Sequence, residues 1–332
     1  MNTLDFSNFK ISAVSGVISK LKLPVGLSPL GALAQLPGTW RGTGFNQIWR
    51  PFHGSQDRFL ELNETSEELQ FVEIPGEIPN RGLLQQDINL HGLTYLQKVS
   101  DVNVKQNGQP TGIHIEPGIW ITVPSTTNPQ DPTTVARLAN IPHGTSLTAQ
   151  GTALTVSGPP TIAPASISPF LIAPPHSPIA FPETNLGVPS AFRTPASDIP
   201  HVTQAMVNNP NIVLSNAIAG QTIKSTTVLR VSTKDLNPPT SGGGTSNIAF
   251  LDGVGGTPNA SAVQMDAIFW IEEVDLGHGK TKLQLQYSQT VFLNFNGLSW
   301  PHVSVATLEK VPHLVIPPIG PKHIGPKIPK VK

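Results

Sequence analysis

The clearest periodicity in the chain lies at residues 283–295, where Leu283, Leu285, Tyr287, Gln289, Val291, Leu293 and Phe295 alternate with side chains that are mostly Gln, Ser, Thr and Asn. Successive side chains of a strand point to opposite faces, so a period of two predicts a strand with one apolar and one polar face. Residues 300–311 follow as a second strand after Asn296-Gly297, a dipeptide that tolerates positive φ and favours a hairpin reversal. Upstream, residues 37–157 alternate short β-like runs with turn signals, among them Pro75-Gly76, Asn80-Arg81-Gly82 and Asn107-Gly108. Residues 1–36 differ: Phe6, Phe9, Val14, Val17, Ile18 and Leu21 carry a weak helical spacing and predict a short helix covering something apolar. Several short strands with glycine-rich turns and few helical stretches predict an all-β barrel or sandwich. Strand pattern alone does not choose between the two.

Composition divides the chain further. Residues 158–245 hold 14 of the 34 prolines and little charge, which argues against a regular sheet and for an insertion that wraps a core or a loop region. Ile167, Phe170, Leu171, Ile172 and Phe181 favour wrapping. Residues 312–332 hold six prolines and four lysines and read as an extended, polyproline-like arm, or as a solvated tail without a partner. The expected organisation is a lead-in at 1–36, a β-domain at 37–311 interrupted by the insertion at 158–245, and a tail at 312–332.

Charge and cysteine content narrow the chemistry. In 332 residues, Lys+Arg and Asp+Glu number 21 each, so no basic excess is offered to nucleic-acid phosphates. The chain has no cysteine, which excludes a disulfide scaffold, a thiolate nucleophile, a Cys-held iron–sulfur cluster and Cys-ligated zinc. Metal or cofactor chemistry therefore falls to the ten histidines and the carboxylates. The apolar stretch at 11–36 is broken by Lys20, Lys22, Pro24 and Pro29 well short of a membrane span, and Asp5 precedes Lys10 where a signal peptide places its basic residues. The expectation is a soluble, cytoplasmic protein with a small-molecule substrate and an open oligomeric state, a homodimer included. The glycine runs at 241–245 and 253–256 lack the Lys-Ser/Thr of a phosphate loop, and neither His-Glu-x-x-His nor Gly-x-Ser-x-Gly occurs.

Three motifs sharpen the fold. Gly38-Thr39-Trp40-Arg41-Gly42-Thr43-Gly44 opens the β region as Gly-x-Trp-x-Gly-x-Gly; His114-Ile115-Glu116-Pro117-Gly118-Ile119-Trp120 stands mid-chain; Pro301-His302 opens a closing strand that ends in Lys310-Val311. Together, in this order, they resemble the nitrobindin family of haem-binding barrels, relatives of the fatty-acid-binding proteins. The mid-chain aromatic is one position later than in the family pattern, and residues 158–245 are an insertion that typical members lack. The resemblance implies a calycin-type antiparallel β-barrel whose closed end is plugged by Trp40. It also implies a haem b ligated by His302, with His114, Trp120 and Thr39 around the macrocycle.

The residues are compatible with that implication. Neutral imidazole is a haem-iron ligand, and Ser304 and Ala306, small side chains on the strand face of His302, leave room for a flat ring. The plain alternative is a histidine at a strand entrance with no ligand. By the same resemblance His114 lines the distal pocket, sharing a face with Glu116, Gly118 and Trp120, unless that face meets solvent. His143, in Asn140-Ile141-Pro142-His143-Gly144, departs from the family pattern and is either a loop residue or a second imidazole at the pocket mouth. Peroxide chemistry needs a base and a cation, for which His143 or His114 and Arg81 or Arg58 are the candidates; a surface salt bridge is the alternative for the arginines. The function expected is chemistry on peroxide, peroxynitrite or nitric oxide, peroxidase-like or isomerising. The alternatives are a haem-free lipocalin or fatty-acid-binding type of carrier and, behind it, a partner-binding protein using the proline-rich insertion and tail.

Overall fold

The computed structural model describes residues 28–54, 57–234, 243–253, 255 and 257–312. The helix expected before residue 22 and the tail after residue 312 lie outside them. Among the described residues thirteen strands form: β1 (Gly38–Pro51), β2 (Arg58–Glu73), β3 (Ile78–Asn80), β4 (Ile88–Gln106), β5 (Gln109–Val123), β6 (Thr134–Ile141), β7 (Thr145–Ser157), β8 (Phe170–Leu171), β9 (Thr222–Ser232), β10 (Gly243–Asn247), β11 (Ser261–Gly277), β12 (Lys280–Phe295) and β13 (Leu298–Lys310). Ten of them, β1-β2-β4-β5-β6-β7-β9-β11-β12-β13, run antiparallel to their neighbours, and β13 pairs back onto β1 to close a barrel. Asn107-Gly108 and Asn296-Gly297 both take positive φ and reverse the chain between β4 and β5 and between β12 and β13. No helix among the described residues is long and apolar enough to cross a membrane.

The Gly-x-Trp-x-Gly-x-Gly opening sits at the seam of the barrel. On β1 a Cβ at Gly42 would lie 2.0 Å from the Thr307 carbonyl oxygen and one at Gly44 2.2 Å from that of Val305, so β13 approaches as closely as it does only because side chains are missing there. Trp40 is fully buried between these glycines and the chain that precedes them. Its indole donates to the Leu36 carbonyl (2.7 Å), and Leu30, Leu33 and Leu36 plug this end of the barrel around a short 3-10 turn, Gly31–Leu33.

A second apolar layer lies outside the wall. Phe45, Trp49, Leu60, Leu62, Trp270, Val303 and Val305 point away from the interior, Trp300 packs with them near the start of β13, and Ile167, Ile199, Val202, Val207 and Leu214 cover them. Phe181 stacks on Trp300 at 5.2 Å, and Trp300 stacks on Phe295 at 4.7 Å. Within this wrap are two short helices, α1 (Gln204–Asn208) and α2 (Ile212–Ala217). The wrap also satisfies polar groups on the wall: Trp49 Nε1 donates to the Ile167 carbonyl (3.1 Å), Gln286 Nε2 to that of Leu214 (3.0 Å) and Ser288 to Asn211 Oδ1 (2.7 Å). The polar face of β12 is therefore covered rather than solvated, its glutamines and serine being met by backbone and amide partners.

The insertion is shorter than the proline count implied. Thr222–Ser232, inside the 158–245 stretch, is β9, a full barrel strand between β7 and β11. Its prolines end at Pro210 and resume at Pro238, and the β-branched run between them was diluted by averaging over the whole stretch.

Candidate functional site

At the end of the barrel away from the leucine plug, a cavity of about 340 Å³ opens between the strands. Ile48, Val99, Ile141, Val291 and Leu293 give it apolar walls, and Leu251 of a third short helix, α3 (Ala249–Asp252), reaches it at the mouth. No described residue of the 158–245 stretch lines it, and those of the wrap that pack against the barrel lie on its outer wall.

Three imidazoles converge here. His302 lies on β13 opposite Ile48 of β1 and Val291 of β12, and all three line the cavity, as does Ser304. In the ring of ten strands β5 is separated from β13 by β1, β2 and β4 on one side and by five strands on the other, so His114 faces His302 from nearly the opposite wall. His143, in the turn between β6 and β7, completes the group, with its ring edge-on to His114 at 5.8 Å. Burial, reinforced by the positive charge His114 or His143 would carry, pushes the His302 ring down to about 3, so it is a neutral imidazole at physiological pH. Burial and the His114 charge lower His143 as well.

Beneath the histidines the interior is polar. Glu116, fully buried on the face of His114, receives hydrogen bonds on Oε1 from Arg137 Nη2 and the Tyr95 hydroxyl, while its Oε2 lies 3.4 Å from His114 Nε2. Arg137 Nε donates to the Tyr95 hydroxyl (2.9 Å) and Nη1 to Gln289 Oε1 (2.6 Å). Burial raises the Glu116 carboxyl, but the Arg137 guanidinium, then His114 and Tyr95, outweigh it and hold the group at about 2. A second cluster centres on Glu67, which accepts from Tyr287 (2.6 Å), Gln97 (3.2 Å) and Thr65 (3.0 Å). Here burial wins over those hydrogen bonds and the carboxyl is raised. Gly118 makes room for this floor, since a Cβ there would sit 2.5 Å from the Tyr95 ring.

Four expected site residues are elsewhere. Arg81 is on the surface in the loop between β3 and β4, paired with Asp87, because the Asn80–Gly82 turn carries it into solvent. Arg58 is on the outer wall, paired with Glu183 at 3.3 Å and lying over the Phe181 ring. The fully buried cation is Arg137, which sequence reasoning passed over although it interrupts the inward apolar series Val135, Ala139 and Ile141, and Arg50, paired with Glu61 at 2.6 Å, is the arginine on the cavity lining. Thr39 has the outward parity of Phe45 and Trp49 and does not line this cavity; Trp120 is packed edge-on against Phe269 (5.3 Å) beneath the floor rather than in the pocket. Tyr95, Tyr287 and Gln289 were also missed, the latter two being polar positions on the inward face of β12.

A haem iron takes one or two protein ligands, so the test of fit is a free neutral imidazole beside apolar walls, and His302 with Ile48 and Val291 meets it. Among the described residues no group of three or more His, Asp or Glu is arranged to hold a bare metal ion. The closed ten-strand antiparallel barrel is consistent with a calycin or fatty-acid-binding type of barrel. No protein-family model matches the sequence, and comparison with curated proteins finds no match.

Proposed function

We propose that this barrel binds haem b in its cavity with His302 as the iron's protein ligand, and that it acts on peroxide, peroxynitrite or nitric oxide on the side of His114 and His143. The observation that carries the reading is the placement of three imidazoles, from opposed walls, around one cavity whose walls combine Ile48, Val99, Val291 and Leu293 with Asn46, Arg50, Glu61 and Gln97. Haem supplies an iron centre for redox or ligand-binding chemistry. The chain supplies a neutral ring at His302, walls that exclude water, and two further imidazoles able to accept or return a proton.

Purified protein supplemented with haem gives a Soret band that His302→Ala abolishes or shifts. A colourless protein, or a band indifferent to that substitution, removes the reading. The second reading, a haem-free carrier, is favoured by the apolar walls and by α3 at the mouth, the layout of a ligand portal. Arg50 on the cavity wall is paired with Glu61 at 2.6 Å and Arg137 below it with Glu116, so neither arginine is left unpaired for an anionic head and a carried molecule would be apolar. Lipid detected by mass spectrometry in a colourless sample would establish it.

A further inference from the structure

Glu116 has one oxygen fully engaged and one waiting. Oε1 takes two donors, Arg137 Nη2 and the Tyr95 hydroxyl, whereas Oε2 is buried and has no hydrogen-bond partner other than the His114 ring nitrogen 3.4 Å away. A buried carboxylate oxygen without a donor costs on the order of kilocalories, so the ring is driven to place its proton on Nε2. In neutral imidazole one nitrogen donates and the other accepts. Nδ1 has no partner among the described residues, and His114 lines the cavity. The ring therefore offers an acceptor to whatever enters.

We propose that Glu116, locked by Arg137 and Tyr95, is a positioning residue that fixes the tautomer of His114, and that the substrate is one with an O–H to give to Nδ1, a hydroperoxide rather than nitric oxide. The proton moves from the hydroperoxide oxygen to Nδ1, leaving a hydroperoxide anion and an imidazolium whose Nε2–H still faces Glu116. No electron is transferred in that step. The arrangement extends the reach of Arg137, a residue with no cavity contact of its own, to the ligand through two hydrogen-bonded groups. The choice of hydroperoxide rests on the haem reading above; the tautomer does not.

The two parts are tested separately. Long-range ¹⁵N–¹H NMR of the haem-free, full-length protein, with the His114 signals assigned by their loss in His114→Gln, reports the tautomer directly. The expected result is Nε2–H in the wild type. In Glu116→Gln, Arg137 and Tyr95 keep the amide oxygen and turn the amide N–H toward the ring, which then accepts at Nε2 and flips to Nδ1–H. A wild-type ring protonated on Nδ1, or a Glu116→Gln spectrum unchanged from wild type, overturns the proposal, and the wild-type spectrum decides even where the variant does not fold. With haem loaded, reaction with hydrogen peroxide slows by about 10²-fold in both Glu116→Gln and His114→Gln, the scale of a lost general base and a larger loss than either variant shows in nitric oxide binding. Equal losses with both probes, or none with peroxide, overturn the hydroperoxide assignment. A colourless protein removes the haem reading and that assignment together, and leaves the tautomer to the spectrum.

Discussion

Replacing Glu272 by glutamine tests how the wrap sits on the barrel. Glu272 is on the outward face of β11, fully buried, with Oε2 accepting from Gln284 Nε2 (2.7 Å) and Oε1 without a partner. Gln284 in turn meets Gln221, where the wrap runs into β9. Burial raises the carboxyl from 4.5 to about 7, and the single hydrogen bond from Gln284 offsets only part of that. Between pH 4.5 and about 7 the folded chain holds a proton that the unfolded chain has released, so stability falls as pH rises through this window and is flat above it. At roughly 1.4 kcal/mol per pH unit the penalty reaches about 3 kcal/mol above pH 7. Glu272→Gln keeps the shape and removes the charge. Its unfolding midpoint should match wild type near pH 4.5 and exceed it above pH 7, by roughly 6 °C for about 3 kcal/mol in a chain of this size. Thermal unfolding followed by circular dichroism from pH 4.5 to 8 reads the difference, and comparing the two proteins at each pH cancels the other carboxylates. A gap that does not change with pH, or a less stable variant at pH 8, would refute the argument that this carboxylate is held dry beneath the wrap.

Three further outcomes follow from the packing. Arg137→Met leaves Glu116 as a buried unpaired charge and should cost about 3–5 kcal/mol at pH 7 by urea denaturation. Glu116 is held at about 2 against an ordinary 4.5, so its contribution is present above pH 4.5 and lost as pH falls toward 2; the gap between variant and wild type narrows in that direction. Trp300→Ala empties the outer aromatic stack between Phe181 and Phe295 and should cost about 3–5 kcal/mol. Limited proteolysis should then cut within 158–221 faster than in wild type, and unchanged cleavage there would show that the wrap is anchored elsewhere. Gly118→Ala drives a methyl into the Leu138 carbonyl, 2.4 Å away, and the Tyr95 ring, and should cost about 1–3 kcal/mol in a urea titration.

The strands were legible because their chemistry is local. Alternation at 283–295, positive-φ dipeptides at 107–108 and 296–297, and the glycines of 38–44 each specify a conformation by themselves, and His302, Ser304 and Ala306 share a face wherever that strand is placed. The partners of those faces are not local. Gln284, Gln286 and Ser288 look like a solvated face, and only the arrival of Leu214 and Asn211 from the wrap makes them interior. Arg137 looks like a surface arginine until Glu116 on the neighbouring β5 and Tyr95 on β4, one strand further, close on it. Arg81 failed for the opposite reason: its turn was identified correctly, and a turn carries its side chain outward.

One constraint recovers what proline averaging hid. A ring in which every neighbour is antiparallel closes only with an even number of strands, because the last must oppose the first. β1 and β13 are antiparallel neighbours, so leaving 158–245 without a strand would give nine and break the closure. The missing strand must then come from the stretch between Pro210 and Pro238, whose run Thr226, Thr227, Val228, Leu229, Val231 supplies the β-branched pattern that β9 adopts. Its presence also bears on function. Barrel diameter grows with strand number, and about eight strands leave an interior that side chains just fill or a single small ligand occupies. At ten, the floor of Glu116, Arg137 and Glu67 fills only part of the bore, and the space above it is the cavity into which His114 and His302 face from opposed walls.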